Sequence, residues 1–401
     1  MAGVGATPMV RTVLRPIALS PAQQATAPDV HLVGTDGWIY LPPTPAIAPF
    51  HPDTLAPAPY TTYMFGFRDV TDLTSEQIQD QKMNAQASAP LLWADEGVAY
   101  RIQLSNLGLA MRPDLTDSHT VHWHGFRNAI PMFDGEPSSS VAVPIGRELT
   151  YFYQPREPGT YMYHCHFEDT EHVHMGMTGT VFIRPAQNGN TALYPSGKYA
   201  YNDGDGSTGY DREYAMFLSE VWAESHWADA HIQLPEWTDY RPDFYLLNGR
   251  VYPDTLEPHF DPMTEYPAGS VGERLRYQPH SSLVQANSGE RVLLRFANLG
   301  FKQQSMTLAG IKLRVVGKDA TLLRGRDGTD LSYETNTIVL GAGESDDAIF
   351  TAPSVPALTT YRLYNRNLHR LNNGGGAGYG GQMTDVRIVP SGLPAQTAPH
   401  T

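Results

Sequence analysis

Short runs of alternating hydrophobic and polar residues recur along the chain, and they predict strands separated by frequent turns. In residues 98–106, four larger apolar side chains alternate with smaller or polar ones, which predicts a half-buried strand. Further strands are predicted at 60–69, 119–126, 148–154, 157–163, 178–184, 214–221, 291–298, 306–317 and 360–365, with a loop or short helix at 222–231. The 32 prolines and 36 glycines favour many short strands over long helices.

The order of strands and breaks predicts an all-β protein of two domains, and 401 residues suit two or three domains. We expect the domains at residues 29–185 and 213–391, joined by a polar linker at 186–212. Residues 1–28 are rich in Ala, Pro and Thr and predict a flexible arm, while 392–401 form a tail.

Composition and charge exclude several classes of partner. The formal net charge of −14 argues against binding to nucleic acid or to an anionic membrane, since both require a basic surface. The chain has no run of 18 apolar residues, so we expect no transmembrane helix. A single cysteine excludes an intramolecular disulfide.

The chemistry concentrates in two segments, 119–125 and 163–177, which hold the single cysteine, Cys165, and seven histidines. Side chains alternate faces along a strand, so His122 and His124 share one face and His119 points to the other. By the same rule His164 and His166 share a face, and Cys165 points away from both. Two sets of side chains result if the segments lie side by side.

The first set joins Cys165 and His119 with His172 and Met177, which return from the following loop. A thiolate, two imidazoles and a weak thioether are the ligands of a blue, type 1 copper. The second set is a face of nitrogen ligands only, made by His122, His124, His164 and His166. Because Cys165 has a histidine on each side, backbone joins the two sets and offers an electron a short covalent route.

The motifs His-x-x-His-x-His-Gly at 119–125 and His-Cys-His at 164–166 resemble those of the multicopper oxidases. The resemblance is strong over residues 60–185 and weak over 210–391. It implies two cupredoxin-like Greek-key β-sandwiches. It also implies type 1 ligands at His119, Cys165, His172 and Met177, and a type 2/type 3 copper cluster at His122, His124, His164 and His166.

Two positions stay open within this resemblance. The loop from Cys165 to His172 is two residues longer than is usual in the family, so His174 or Met175 is an alternative ligand. The family associates the aspartate of a Phe-Asp-Gly turn with proton delivery, which makes Asp134 a candidate relay; the alternative is a plain turn residue.

The second domain departs from the family pattern. It shows Met306-Thr-Leu-Ala-Gly310 and Asn365-Arg366-Asn367 where a copper domain carries His-x-His-Gly and His-Cys-His. We therefore expect a cupredoxin sandwich without type 1 copper. A complete trinuclear cluster in the family uses eight histidines, and the first domain offers four. Isolated histidines such as His226 or His231 are candidate substitutes.

The resemblance implies a laccase-like oxidase that passes electrons from a small-molecule donor through copper to dioxygen. A reductase of the nitrite-reductase kind and a non-enzymatic blue-copper electron carrier are the alternatives. The half-complete second set predicts a homo-oligomer, possibly a trimer, in which a partner surface contributes. An extracellular or periplasmic location is expected by resemblance alone, because the N-terminus lacks the apolar stretch of a signal peptide.

Overall fold

The computed structural model describes residues 28–376 and 378–400, which form two β-sandwiches. The first is built from two four-stranded sheets, with strand orders β2-β1-β4-β6 and β3-β8-β7-β5. Its strands are β1 (Val30–Ile39), β2 (Thr62–Asp69), β3 (Leu92–Asp95), β4 (Tyr100–Gly108), β5 (His122–His124), β6 (Glu148–Tyr153), β7 (Gly159–His164) and β8 (Thr178–Arg184).

An aromatic core fills the space between these two sheets. Tyr63, Phe65, Trp123, Tyr151 and Tyr163 are all buried there. Strand β5 runs antiparallel to β7, and this pairing places the two histidine segments side by side. The juxtaposition assumed from the sequence is therefore confirmed.

The predicted histidine strand at 119–126 is too long. Only His122–His124 forms a strand, and His119 makes an isolated bridge with Val143. The His119 N–H donates to the Val143 carbonyl at 3.0 Å, and the His119 carbonyl accepts from the Val143 N–H at 2.9 Å. His119 is thus held by a separate segment, and strand alternation alone does not fix its direction.

The second sandwich contains a seven-stranded sheet, in the order β10-β9-β12-β18-β14-β15 with β16 also on β14, and a five-stranded sheet in the order β11-β20-β19-β13-β17. Its strands are β9 (Arg212–Val221), β10 (Phe244–Leu247), β11 (Val284–Asn287), β12 (Arg291–Asn298), β13 (Gln304–Leu308), β14 (Leu313–Lys318), β15 (Thr321–Leu322), β16 (Tyr333–Thr335), β17 (Thr337–Leu340), β18 (Ser345–Thr351), β19 (Thr359–Asn365) and β20 (Met383–Val389). The predicted fold class, two cupredoxin-like β-sandwiches, is confirmed.

Helices are few and short. They span Ser75–Gln79, Asp169–Met175, Ala223–Ala230 and Val271–Arg274, with 3-10 turns at Pro131–Phe133, Trp237–Asp239, Asp254–Leu256, Leu368–Leu371 and Asn373–Gly375. The helix Ala223–Ala230 confirms the loop or short helix predicted at 222–231. Among the described residues, no helix has the length and apolar character needed to cross a membrane.

Helix Asp169–Met175 replaces the loop predicted after Cys165. Two acidic residues occupy its first turn, where they complement the helix dipole, and Gly176 ends it with φ 119°. The helix carries both His172 and His174. It also directs His172 and His174 to different sides.

The segments predicted as linker and tail both pack on the second sandwich. Tyr199, Tyr201 and Tyr210 are buried, and the Tyr201 hydroxyl donates to Asp347 at 2.6 Å. In the tail, buried His400 accepts a 2.8 Å bond from the Ala215 N–H. We retain 29–185 and 213–391 as proposed domains. The predicted arm, 1–28, lies outside the described residues except for Pro28.

The two sandwiches meet where β7 packs against β12 and β18. Buried Arg295 lies in this interface, 2.9 Å from Glu213 and 3.5 Å from Asp347. Its guanidinium also donates to Thr160 on β7 at 3.2 Å and lies 4.4 Å from the ring centre of Phe182. This buried network fixes the second sandwich against the strand that ends at His164.

Candidate metal centres

The first candidate centre lies at the end of β7, around Cys165. The Cys165 sulfur is 3.3 Å from His172 Nδ1 and 3.9 Å from His119 Nδ1, and all three residues are fully buried. These three ligand atoms are close enough together for one metal ion. The structure therefore brings together the thiolate and both imidazoles that the sequence indicated.

Met177 belongs to the same cluster. The Cys165 N–H donates to the Met177 carbonyl at 3.1 Å, which ties the two residues together. A Cβ added at Gly34 would lie 2.6 Å from the His119 ring and 3.3 Å from the Met177 methyl carbon. The ring of His119 and the thioether end of Met177 thus meet over one glycine of β1.

The alternative ligands point elsewhere. His174 Nε2 accepts a 3.3 Å bond from the Trp222 N–H, and its ring packs 5.0 Å from that of His226. Met175 lines a cavity shared with His174 between the two sandwiches. The structure therefore favours His172 and Met177, and it turns His174 toward the second sandwich.

Asp117, which the sequence did not indicate, is hydrogen-bonded to the His172 nitrogen that faces away from Cys165. The His172 Nε2–H donates to the Asp117 carboxylate at 3.2 Å, and Asp117 is 10 % exposed. Burial alone would lower the pKa of His172, but the Cys165 thiolate and Asp117 outweigh it and raise that pKa to about 10. A carboxylate on the outer nitrogen fixes the tautomer and strengthens the inner nitrogen as a donor.

The second candidate centre is formed by His122, His124 and His164, whose ligand atoms also group tightly enough for one metal ion. His122 and His164 face each other across β5 and β7. The His122 Nδ1–H donates to the Asp134 carbonyl at 2.6 Å, and the His164 Nδ1–H donates to the Cys165 carbonyl at 2.8 Å. With Nδ1 held by the backbone, each ring keeps its Nε2 for the interior of the group, as metal-binding histidines do.

These imidazoles are held in the neutral form that binds metals. Burial lowers the pKa of His122 and His124, and it lowers that of His164 to about 3. Two nitrogens, His124 Nδ1 and His164 Nε2, are 3.4 Å apart. Metal binding requires neutral imidazoles, so the group is suited to a metal ion.

His166 stands at the margin of this group. Its ring centre is 5.0 Å from that of His122 and 5.4 Å from that of His164, and it is half-exposed. Among the residues that the structure describes, the group of close nitrogen atoms contains three histidines rather than the predicted four.

Asp134 is both a turn residue and a neighbour of this centre. It ends the 3-10 turn Pro131–Phe133. Its carbonyl holds His122, and its carboxylate, 32 % exposed, lies 3.7 Å from His122 Nδ1. The Asp134 carboxylate therefore lies between solvent and the His122 ring.

The other candidate histidines are engaged away from this centre. The His226 Nδ1–H donates to the Tyr63 carbonyl at 2.6 Å, and His231 Nε2 lies 3.0 Å from the Asp53 carboxylate. Neither joins the group of His122. Helix Ala223–Ala230 packs on β2, which draws both residues to a different part of the first sandwich.

Copper fits the donor set at Cys165. A thiolate and a thioether are soft ligands that disfavour magnesium and calcium, and two imidazoles complete the usual set for copper. His119 Nε2 is buried without a hydrogen-bond partner, so the ring is oriented by its Nδ1 side, which faces Cys165. The nitrogen-only second group suits copper or zinc by itself, but its junction with Cys165 favours copper.

Comparisons with known proteins agree with this chemistry. Residues 68–188 match the family model described as multicopper oxidase. Laccase-12 of Arabidopsis thaliana is 27 % identical over 244 residues, covering 59 % of this chain and 35 % of that laccase. The chain thus spans about a third of the length of that curated relative.

Two solved structures share the fold over most of the chain. The blue copper oxidase from Nitrosomonas europaea superposes with a TM-score of 0.59 at 19 % identity, covering 89 % of this chain and 85 % of that one. A copper nitrite reductase from Nitrosomonas europaea superposes with a TM-score of 0.54 at 15 % identity, covering 92 % and 96 %. At these identities both likenesses establish the fold alone. The resemblance drawn from the histidine and cysteine motifs is confirmed by the multicopper oxidase family model, which matches residues 68–188.

Proposed function

We propose that this chain is a laccase-like copper oxidoreductase that takes electrons from a small-molecule donor and delivers them to dioxygen. The observation that carries the proposal is the junction at Cys165. Its sulfur belongs to the first centre, while the preceding residue, His164, belongs to the second and bonds to the Cys165 carbonyl. One peptide therefore connects the two groups.

In this proposal His119, Cys165, His172 and Met177 hold a type 1 copper. His122, His124 and His164 hold a second copper, with His166 beside them. When bound, copper supplies one-electron redox chemistry at the first centre and binding of dioxygen at the second. Neighbouring residues of the chain orient these ligands and bury Cys165 away from water. They also carry the protons that the second centre consumes.

The donor approaches from the side of Asp117. His172 is fully buried, so no donor reaches its ring directly. Asp117 is bonded to the outer nitrogen of His172 and is partly exposed, which makes it the outermost group on this path. We infer that Asp117 positions His172 and presents a negative charge to the oxidisable donor.

Asp134 serves the second centre. Reduction of dioxygen to water consumes protons, and the Asp134 carboxylate lies between solvent and His122. His124 and His166 are only half-buried, so this side of the centre is open to a partner surface. We propose that a homo-oligomer, with a trimer as the candidate assembly, covers it. We also propose a location outside the cytoplasm.

The experiment that tests this function separates the two centres. We expect His122→Ala and His166→Ala each to reduce oxygen uptake with a phenolic donor while leaving the blue absorption of the first centre intact. Their side chains lie on the side away from the Cys165 sulfur. Unchanged uptake in both variants would show that the second group is not the catalytic site.

A second candidate function rests on the number of close ligands. Three histidine nitrogens suit one copper rather than three, and the chain shares its fold with a copper nitrite reductase. Anaerobic nitrite consumption with a reduced donor, measured beside oxygen uptake, distinguishes the two reactions. Protein that is blue but consumes neither acceptor would be an electron carrier.

A further inference from the structure

A cavity of about 30 Å³ lies between the two sandwiches, beside helix Asp169–Met175. His174 and Met175 of that helix line it, together with Met64 of β2 and His226 and Glu220 of the second sandwich. This volume has room for one or two waters or a single metal ion. None of these five residues belongs to the two centres described above.

His226 lines this cavity and carries a buried nitrogen atom without a hydrogen-bond partner. The residue is 2 % exposed, and its Nε2 atom has no hydrogen-bond partner. Its Nδ1–H is held by the Tyr63 carbonyl at 2.6 Å, so the neutral ring must carry its lone pair on Nε2. Burial lowers the pKa of His226 to about 4, which keeps the ring neutral. This is the arrangement of a metal-binding histidine.

The ring-to-ring distance and angle between His174 and His226 match those of histidine pairs within the two candidate centres. The rings of His174 and His226 are 5.0 Å apart at 68°. The corresponding values are 5.0 Å and 61° for His119 with His172, and 5.2 Å and 69° for His122 with His164. His174 is the weaker ligand of its pair, because its Nε2 already accepts a 3.3 Å bond from the Trp222 N–H.

The remaining lining groups select the kind of ion. Met64 and Met175 contribute thioethers, which are soft ligands that favour monovalent copper over hard cations. Glu220 is a buried carboxylate on the same wall, where it accepts hydrogen bonds from Tyr240, Gln304 and the Lys302 N–H. We propose that this cavity is a third metal site, specific for a soft monovalent ion such as Cu(I). With ligands from both sandwiches, the bound ion clamps one against the other.

The site is tested with silver(I), a redox-inert stand-in for Cu(I), in chloride-free buffer. The Cys165→Ser protein is the background, since it lacks the thiolate of the first centre. Silver bound per chain is measured by equilibrium dialysis, and thermal unfolding is followed with and without silver. A ligand that binds only the folded state raises the unfolding temperature as its concentration rises.

We expect His226→Gln in this background to bind one silver ion fewer per chain and to lose most of the silver-dependent rise in unfolding temperature. His231→Gln is the matched control, because His231 lies at the end of the same helix and is bonded to Asp53 instead. It should bind as much silver as the background. Equal binding and an equal temperature rise in His226→Gln would overturn the proposal and leave the cavity to water.

The variants Met64→Leu and Met175→Leu test the site even if His226→Gln does not fold. Both replacements keep the volume and the apolar character of the side chain, so the sandwich should stay intact. Weaker silver binding in either variant supports the site. Unchanged binding in both, together with His226→Gln that does not fold, would also overturn it.

Discussion

His164 and Asn365 occupy the same place in the two sandwiches. His164 pairs with His122 across β7 and β5, and Asn365 pairs with Met306 across β19 and β13. The Asn365 amide donates to Gln304 at 2.8 Å and to Gln382 at 2.7 Å. Buried amides that satisfy one another replace the metal ligands at this position. The second sandwich therefore keeps the fold. Hydrogen-bonded amides occupy the place that the histidine face has in the first sandwich.

The bond between Asp117 and His172 predicts an effect on the redox potential of the first centre. A negative charge beside a ligand stabilises the more positive, oxidised copper. Asp117→Asn should therefore raise the potential while the blue colour remains, as a redox titration of the visible band would show. Asp114→Asn is the control, since Asp114 pairs with Arg112. An unchanged potential in Asp117→Asn would contradict the assigned role.

Met177 predicts a graded change at the same centre. An axial thioether is a weak ligand at a long distance, so its loss leaves the thiolate bond intact. Met177→Leu should keep the blue band and raise the potential, and Met175→Leu should change neither. If the two variants exchange these effects, Met175 is the axial ligand.

The buried network at Arg295 predicts a large cost for its removal. Arg295→Ala would leave Glu213 and Asp347 buried without their partner, which typically costs about 3–5 kcal/mol. Lys312→Ala removes one member of an exposed pair with Glu334 and should change the free energy of unfolding by about 1 kcal/mol or less. Urea unfolding of both variants measures the contrast. Similar small losses would show that Arg295 does not hold the sandwiches together.

Buried histidines predict that acid destabilises the protein. Burial lowers the pKa of His226 to about 4 and that of His400 to about 3. Below the ordinary histidine pKa of about 6.5 the unfolded chain binds protons that the folded chain refuses, so stability falls as pH drops from about 6.5 toward 4.

Buried carboxyl groups with a raised pKa, such as Asp229 and Asp346, oppose this trend. Burial raises the pKa of Asp346 to about 7, so its contribution to stability increases as pH falls through the same window. Buried histidines with a lowered pKa, among them His164, His226 and His400, outnumber these carboxyl groups. Urea unfolding across the window should show a net loss on acidification, and His400→Gln should make the loss smaller. Greater stability at the acid end would contradict this balance.

Much of the fold followed from local patterns. Apolar alternation located the principal strands, because each sandwich buries one face of each sheet. The absence of ligands at Met306 and Asn365 was readable directly, and the strand register places both where the motif predicted. The course of residues 186–211 was not readable, because their buried tyrosines are spaced without strand period among polar turns.

Parts of the site could not be read from spacing. Asp117 reaches His172 from a loop, across 55 positions of sequence, and nothing local marks it. His172 lies on a short helix where the sequence predicts a loop. The acidic residues of the first turn are the one local signal for this helix. His166 follows the end of β7, where strand alternation no longer governs its direction, so it stands apart from the three grouped histidines.

The central claim is that Cys165 binds copper as a thiolate and is joined through His164 to a second copper. The most direct test is copper content, visible absorption and electron spin resonance of the copper-loaded protein and of Cys165→Ser. We expect wild-type protein to be blue with two distinct copper signals, and Cys165→Ser to lose the blue band and one signal while the fold and the other copper remain. A blue band that persists without Cys165, or wild-type protein that is never blue at any copper load, would contradict the claim.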